Sequence, residues 1–189
     1  DCSLETSKGT TAFYGIPAAE GDLVYIGGYD GRVYTVSSTT GYRGWVYPPD
    51  GNLEPIIGGL LLSGEKIYFG CNDGKVYAIN TAELRKDWEF STGDKIWSIP
   101  VISGETIYIS SFDKKVYALN AADGTEKWHF EADGAIASTP LVYNNTVYFG
   151  SFDRHVYAVD AADGSLRWRS EIEAGKWFWA QPAASDNII

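Results

Sequence analysis

The chain has 189 residues, of which 44% are hydrophobic and 15% aromatic, and its formal net charge is −10 at pH 7. This length provides a sizeable core, and the acidic balance argues against nucleic acid or an anionic membrane surface as a partner, because both bind basic patches. The longest apolar run, residues 56–62, is too short to span a membrane and contains two glycines.

The aromatic residues recur at a regular step along the chain. Four tryptophans are spaced 43, 40 and 40 residues apart: Trp45, Trp88, Trp128 and Trp168. Two series of tyrosines keep the same step: Tyr25, Tyr68, Tyr108 and Tyr148, then Tyr34, Tyr77, Tyr117 and Tyr157. A step of about 40 residues is typical of one supersecondary unit copied several times, in which each unit buries its apolar face against the next.

The last complete unit shows the strands most clearly. Runs of β-branched and aromatic residues at 138–143, 146–151, 155–160 and 165–170 are separated by turns of Asn, Asp and Gly. The two middle runs are apolar on both faces, as blades stacked face to face require, whereas a β-sandwich would show cleaner alternation. We therefore predict an all-β chain, a β-propeller of four-stranded antiparallel blades.

Aligning the repeats places the blade boundaries. We predict complete blades at 12–48, 55–92, 96–132 and 136–172, the outer strand of a preceding blade at 1–6 and the start of the next blade at 177–189. Propellers contain up to about eight blades, so we expect this single domain to be part of a seven- or eight-bladed ring. A complete five-bladed ring is the alternative. Open edges of an incomplete ring favour self-association, because unpaired strands seek partners.

Two stretches, 118–128 and 158–168, share the pattern Ala-x-Asp/Asn-x-x-Asp-Gly-x-x-x-Trp. This pattern resembles the tryptophan-docking repeat of the pyrroloquinoline quinone (PQQ)-like propellers, and it decays at 35–45 and at 78–88, where Glu83 and Leu84 replace Asp-Gly. The resemblance implies that each indole packs between adjacent blades, with its N–H available to a backbone carbonyl. The tryptophans concerned are Trp45, Trp88, Trp128 and Trp168.

The PQQ-like family contains a dehydrogenase branch, which holds the quinone and Ca²⁺ in the central channel, and a non-catalytic, BamB-like branch. The first branch uses calcium-ligating Glu and Asn, a catalytic Asp and often a vicinal cysteine pair, whereas Cys2 and Cys71 are far apart here. The resemblance therefore implies a scaffold without cofactor that binds a protein partner or ligand in the periplasm or at the cell surface, with membrane attachment such as lipidation outside this chain. A fragment of a PQQ- and Ca²⁺-dependent quinoprotein dehydrogenase and an extracytoplasmic sensor domain are the alternatives.

The candidate binding residues lie where the first strand of each blade lines the channel. Trp97 and Trp179 stand three residues before a proline of the repeat, as Tyr14 does before Pro17. We predict that these rings form an aromatic collar for a flat ring, a sugar face or a peptide side chain, because indole offers area and a polar edge. The alternative is that the rings plug the channel. The neighbours that complete the candidate site are Lys95, Lys176 and Trp177.

Acidic residues occupy two sets of loops. One aspartate per blade lies between the second and third strands, where such a residue usually caps its own turn and less often contributes to a docking ring: Asp30, Asp73, Asp113 and Asp153. The inter-blade loops add further acids, so we expect a net acidic rim that prefers a basic or polar partner: Asp50, Glu54, Asp94, Asp133, Glu171 and Glu173.

The cysteines and histidines predict no catalytic or metal site. Cys71 replaces the Gly or Ser of other repeats, which favours a small buried thiol, and the spacing leaves a Cys2–Cys71 disulfide open. We expect His129 and His155 to be solvated, because neither falls in a triad or metal-binding pattern.

Overall fold

The computed structural model describes residues 5–6, 9–170 and 175–185, and every regular element in these ranges is a β-strand. β1 (Glu5–Thr6) and β2 (Gly9–Thr10) form a short antiparallel hairpin. The remaining strands form four antiparallel sheets of four strands each, which we call the first to fourth sheets. Within the same ranges, no helix is long and apolar enough to cross a membrane.

The strands of each sheet follow one another in chain order. The first sheet contains β3 (Ala18–Glu20), β4 (Leu23–Gly27), β5 (Val33–Ser37) and β6 (Arg43–Tyr47). The second contains β7 (Leu61–Ser63), β8 (Lys66–Gly70), β9 (Lys75–Asn80) and β10 (Arg85–Ser91). The third contains β11 (Val101–Ser103), β12 (Thr106–Ser110), β13 (Lys115–Asn120) and β14 (Glu126–Glu131). The fourth contains β15 (Leu141–Tyr143), β16 (Thr146–Gly150), β17 (Val156–Asp160) and β18 (Leu166–Arg169). The all-β prediction is confirmed.

Each of the last three sheets contains a row of three paired residues, Tyr, Ala and Trp, at the same register. In the third sheet Tyr108 of β12 pairs with Ala118 of β13, which in turn pairs with Trp128 of β14. Because Ala118 ends at Cβ, the Tyr108 and Trp128 rings meet across it, with centroids 5.8 Å apart. The alanine of the repeated motif therefore supplies the space in which the two periodic aromatic residues contact each other.

Neighbouring sheets pack face to face. We call the face that contacts the following sheet the trailing face, and in the third sheet it carries Tyr108, Val116 and Trp128. The opposite, leading face of the fourth sheet carries Val147, Phe149 and Val159. All of these side chains lie in one buried cluster. A second cluster joins the second and third sheets, so the third sheet is covered on both faces. Coverage on two sides explains why the middle strands lack polar alternation.

In the third and fourth sheets, the turn between the third and fourth strands contacts the tryptophan of the preceding sheet. Trp128 donates its indole N–H to the Ala161 carbonyl at 3.2 Å, and Trp88 donates to the Ala121 carbonyl at 3.1 Å. The Trp128 ring lies over Gly164, where a Cβ would come within 2.6 Å of the ring. Glycine is also suited to the φ of +74° at this position.

The second sheet departs from this pattern at one residue. Leu84 occupies the position of Gly124 and Gly164, yet it keeps a positive φ of 53°. The turn geometry therefore persists where the Asp-Gly signature is lost. Trp45, the tryptophan of the preceding sheet, is only half-buried.

The turn aspartates bond within their own turns. The carboxylate of Asp113 accepts the Lys115 backbone N–H at 3.0 Å and the Tyr117 hydroxyl at 2.6 Å. Asp73 and Asp153 make the same pair of bonds, which confirms the turn-capping prediction for these three residues. Asp30 likewise accepts the hydroxyl of its repeat tyrosine, Tyr34, at 2.5 Å.

Cys71 is fully buried, as predicted, and its thiol, whose pairing the spacing left open, is free. It donates to the Glu54 carbonyl at 3.1 Å, a bond that Ser111 makes to the Asp94 carbonyl at 3.0 Å in the following sheet. Burial raises the pKa of the Cys71 thiol to about 12. Cys2 lies outside the described residues, as do Glu171 and Glu173.

The structure describes only part of the two segments that were predicted to be partial blades, 1–6 and 177–189. Residues 1–4 and 186–189 lie outside the described ranges, while Glu5–Thr6 pairs with Gly9–Thr10. The assignment of 1–6 to a preceding blade therefore stays a prediction. At the other end, Phe178 packs on Gly150 of the fourth sheet, as Ile96 packs on Gly70 of the second.

Candidate functional site

The segments that enter each sheet place their side chains alternately inward and outward. Ile96 is fully buried between the second and third sheets, and the next residue, Trp97, is partly exposed. Phe178 takes the inward position on the fourth sheet, so Trp177 and Trp179 on either side of it face outward and are 58% and 53% exposed. The same alternation thus presents tryptophans from two separate segments at one end of the sheets.

Five rings make a continuous set of contacts at this end, which we call the aromatic rim cluster: Trp97, Phe112, Phe152, Trp177 and Trp179. Trp179 stacks with Trp97 at a centroid distance of 6.2 Å and contacts Phe152 at 4.7 Å. Trp177 stacks on the Phe152 ring at 5.1 Å. Phe112 links the two sides, with centroids 4.6 Å from Trp97 and 5.6 Å from Phe152.

The strand turns hold this cluster in place. Phe112 and Phe152 directly precede the capping aspartates Asp113 and Asp153, so the bonded turns orient them. The Trp97 indole N–H donates at 3.1 Å to the side-chain oxygen of Asn72, which occupies the same repeat position as the two phenylalanines. The cluster is therefore built on ordered turns and not on loose loops.

Basic side chains lie next to the rings. The Lys95 Nζ is 4.9 Å from the Trp97 centroid and 4.8 Å from that of Phe112, a distance at which a cation is attracted to the ring face. Lys176 and Arg154 line a cleft of about 400 Å³ together with Trp177, Trp179 and Gly175. Three basic side chains thus lie beside the rings, and one of the predicted rim acids, Asp133, is paired with Arg169 at 2.8 Å. The net charge of the rim stays a prediction.

The contacts join most of the candidate residues but place Tyr14 elsewhere. Trp97, Trp177 and Trp179 meet in the aromatic rim cluster, with Lys95 and Lys176 beside them. Tyr14 packs edge-to-face on Tyr29 at 5.7 Å. A role for any of these residues in binding stays a prediction.

Sequence reasoning missed Phe112 and Phe152, which connect the tryptophans. Their signal was present, because they recur 40 residues apart between a small residue and the turn aspartate. Tyr29 and Asn72 hold the same position in the first two sheets.

The described residues contain no group of three His, Cys, Asp or Glu side chains arranged to hold a metal ion. His129 is exposed and bonds to Glu126 at 2.7 Å, as expected for a solvated histidine. His155 is only partly exposed, and its Nδ1 lies 3.0 Å from the Ser170 carbonyl oxygen.

A larger cleft of about 570 Å³ lies at the opposite end of the second and third sheets. Its cation, Lys66, is paired with Asp87 at 3.0 Å and donates to the Ala122 carbonyl at 3.3 Å. Because its lysine is paired within the chain and Tyr68 is the one aromatic ring among its lining residues, this cleft is the weaker candidate.

Comparison with known proteins supports the architecture. The chain superimposes on BamB from Moraxella catarrhalis with a TM-score of 0.75 and 20% identity, covering 89% of this chain and 55% of that one. It also matches two quinohemoprotein alcohol dehydrogenases. The match to the enzyme from Comamonas testosteroni has a TM-score of 0.75 and 16% identity, and it covers 87% of this chain and 36% of that one. The match to the enzyme from Pseudomonas putida HK5 has a TM-score of 0.70 and 17% identity, and it covers 88% of this chain and 35% of that one. The chain thus spans little more than half of the first structure and about a third of the others. Among curated protein sequences, none matches significantly.

These structures confirm that the four sheets are blades of a β-propeller. A family model described as outer membrane protein assembly factor BamB matches twice in succession, over residues 5–95 and 85–185. The two matches together cover nearly the whole chain, including all four sheets. The chain therefore belongs to this PQQ-like, BamB-type family of repeat proteins.

Proposed function

We propose that the chain is a non-catalytic binding scaffold outside the cytoplasm and that the aromatic rim cluster binds a protein partner. The observation that carries this proposal is the exposure of Trp177 and Trp179, at 58% and 53%, although each is held by stacking. Preformed tryptophan surfaces are typical centres of protein interfaces, because they bury a large area and lose little side-chain freedom on binding.

The charges around the cluster define the partner's chemistry. Lys95, Arg154 and Lys176 lie beside the rings on a chain whose net charge is −10. A segment with one aromatic or aliphatic side chain and a neighbouring carboxylate matches both features, because charge complementarity orients a complex while the rings supply buried area.

Family membership supports the protein partner and the location. The matching family is described as an outer membrane protein assembly factor, and BamB is among the similar structures. The family description concerns the assembly of outer membrane proteins, and the similar structure bears the same name, BamB. Transfer of that role to this chain is part of our proposal, since shared fold alone does not fix function.

A dehydrogenase fragment is the second candidate, favoured by the similarity to two quinohemoprotein alcohol dehydrogenases. Calcium takes six to eight oxygen ligands, and the described residues offer no cluster of even three suitable side chains. The two cysteines, Cys2 and Cys71, are not vicinal. The described part of the chain therefore offers no cluster of acidic ligands for a calcium–quinone centre, which supports the scaffold proposal.

One experiment tests the binding surface. Peptides that contain a tryptophan or phenylalanine next to Asp or Glu would be selected by display against the 189-residue chain, and their affinities measured by calorimetry. Trp177→Ala and Trp179→Ala should each weaken binding about thirtyfold, the effect of a typical interface hot spot. Tyr42→Ala, an exposed aromatic on another blade, is the matched control. Equal affinity of all three variants would refute the proposal.

A second measurement separates the two candidate functions. The chain is titrated with PQQ and Ca²⁺ while absorbance and thermal unfolding are recorded. We expect no saturable change. Saturable binding with a raised melting temperature would favour the dehydrogenase fragment.

A further inference from the structure

Two turns beside the aromatic rim cluster hold a basic residue in a backbone conformation that favours glycine. The residue after the turn aspartate is left-handed in all four sheets, with φ between 75° and 79°. In the first two sheets it is Gly31 and Gly74, whereas in the third and fourth it is Lys114 and Arg154. Glycine adopts this conformation routinely and asparagine or aspartate occasionally, because in other residues the Cβ comes too close to a carbonyl oxygen.

The space around the turn explains a glycine but not a cation. A Cβ on Gly31 would overlap the Leu53 carbonyl oxygen, so the first sheet has no room for a side chain there. The later turns do have room, and both Lys114 and Arg154 are exposed. Room permits a side chain without favouring one, since the left-handed conformation still carries its cost. A residue held in such a conformation is a sign of function.

The aspartate before each cation is committed to its own turn. One oxygen of Asp113 accepts the Lys115 backbone N–H, and the other accepts the Tyr117 hydroxyl. Asp153 makes the matching bonds in the fourth sheet. Among the described residues, no carboxylate forms an ion pair with Lys114. The capping bonds therefore leave the Lys114 charge available at the rim.

The two cations follow the rings of the aromatic rim cluster from one blade to the next. Phe112 stands two residues before Lys114. Phe152 stands two residues before Arg154, and its ring centroid lies 5.6 Å from that of Phe112. Arg154 also lines the cleft of about 400 Å³ beside Trp179. Charge and aromatic surface are thus repeated together on two neighbouring blades.

We propose that Lys114 and Arg154 select the partner of the aromatic rim cluster, by binding two carboxylates on alternate residues of an extended acidic segment. This proposal rests on the proposed function of the cluster. Alternate residues of an extended strand point to one side and lie about 6.6–6.8 Å apart. That step is within about an ångström of the step between the Phe112 and Phe152 rings, a difference that long basic side chains absorb.

The two cations would hold their carboxylates differently. The guanidinium of Arg154 is a planar fork that binds a carboxylate through two parallel bonds, whereas the Lys114 ammonium acts as a point charge. Arg154 therefore fixes the direction of the segment, and Lys114 favours a second acid one blade away. An aromatic or aliphatic side chain next to the acids contacts Trp179.

The test uses glycine variants, which restore the residue that the first two sheets carry. A display library of short peptides, each with one fixed tryptophan, is selected against the unaltered chain, and affinities are measured by calorimetry. We expect the selected peptides to carry Asp or Glu at two positions that are two residues apart. Lys114→Gly and Arg154→Gly should each weaken their binding about tenfold or more, because each removes a hydrogen bond between charged groups.

The same variants should become more stable while they lose affinity. Glycine relieves the left-handed strain, which outweighs the entropy that it adds to the unfolded chain, so the melting temperature should rise by about 1–4 °C. Leu84→Gly is the matched control. Leu84 also has a positive φ, but it follows the third strand of its sheet, whereas the rim turns precede that strand. This control should gain similar stability and keep its full affinity for the peptides.

The outcomes separate this proposal from the function on which it rests. Selected peptides without paired acids, unchanged affinity in either rim glycine variant, or a lowered melting temperature in either would overturn the proposal. If Trp179→Ala weakens binding while the glycine variants retain it, the cluster binds its partner without these cations, and only the present proposal fails. If the unaltered chain selects no peptide, the proposed function fails and this proposal fails with it.

Discussion

The Trp128 ring lies over Gly164 of the following blade so closely that a Cβ on Gly164 would come within 2.6 Å of it. The Trp128 indole N–H meanwhile bonds to the Ala161 carbonyl in the same turn. A single side chain therefore supplies both apolar burial and a directional bond between two sheets. This contact explains the period of the sequence, because each blade must carry both the tryptophan and the turn that receives one.

We predict that Trp128→Ala lowers the free energy of unfolding by about 3–5 kcal/mol, since it removes a large buried ring and leaves a cavity. Trp168→Ala is the matched control, because that ring is 42% exposed against 8% for Trp128. Its loss should cost about 1 kcal/mol or less. Urea unfolding at low protein concentration measures both values, and equal losses would show that the inter-blade contact is not the source of the stability.

The receiving turn gives a second prediction. Gly164→Ala meets both the Trp128 ring and a left-handed backbone, so we expect a loss of about 2–5 kcal/mol from strain and overpacking together. Gly104→Ala has a similar backbone, with φ +58°, but open space around the new Cβ. It should lose only about 1–2 kcal/mol, the backbone part alone. Denaturant midpoints of the two variants that coincide would contradict a role for the ring contact.

The architecture was predictable from sequence because blade packing repeats. Tyr108, Ala118 and Trp128 form one row, and the same row recurs at fixed spacing, so periodicity alone indicated the unit. The turn at Leu84 shows where the Asp-Gly signature fails as a predictor, because the backbone there remains left-handed although the signature is gone. Asn80, which the motif keeps at its Asp/Asn position, still accepts the backbone N–H groups of Ala82 and Glu83 in this turn.

The candidate site was predictable only in part. Trp97 and Trp179 share an offset from the repeat prolines, and they do stack. Tyr14 shares that offset too, and it contacts Tyr29 as Trp97 contacts Phe112, but among the described residues no ring contact joins this pair to the cluster. Phe152 contacts both Trp177 and Trp179, a relationship between segments that spacing along the chain does not reveal.

Cys71 provides a third prediction. Its thiol bonds to the Glu54 carbonyl where Ser111 bonds to the Asp94 carbonyl, so Cys71→Ser should change the free energy of unfolding by about 1 kcal/mol or less. Cys71→Ala removes the donor from this partly buried bond, and we expect a cost of about 1–3 kcal/mol. Thermal unfolding compares the two, and a more stable alanine variant would contradict this account.

The Cys71 thiol should also react slowly in the native protein. Burial raises its pKa to about 12, and alkylation requires the thiolate. Iodoacetamide labelling followed by mass spectrometry should therefore modify Cys71 only after unfolding. Rapid labelling under native conditions would show that the blade opens far more readily than its buried contacts imply.

The last prediction concerns alkaline pH. Burial and the bond to Asp30 raise the pKa of Tyr34 from its ordinary value of 10.0 to about 12. Burial and the matching aspartates also raise the pKa of Tyr77 and of Tyr117. The folded state therefore favours the neutral phenols. The contribution of Tyr34 to stability is full below pH 10 and is lost as the pH rises through about 12.

We accordingly expect the free energy of unfolding to fall steeply above pH 10, with tyrosinate absorbance appearing together with the loss of structure. Tyr34→Phe removes one of the titrating groups, so the free energy of unfolding of this variant should decline less steeply over the same interval. At pH 10 the variant should be less stable than the unaltered chain, because it lacks the bond to Asp30. Urea unfolding at several pH values up to 12 measures the slopes. If both proteins decline in parallel, the Tyr34 phenol ionises as readily in the folded blade as in the unfolded chain, and its bond to Asp30 does not oppose the loss of its proton.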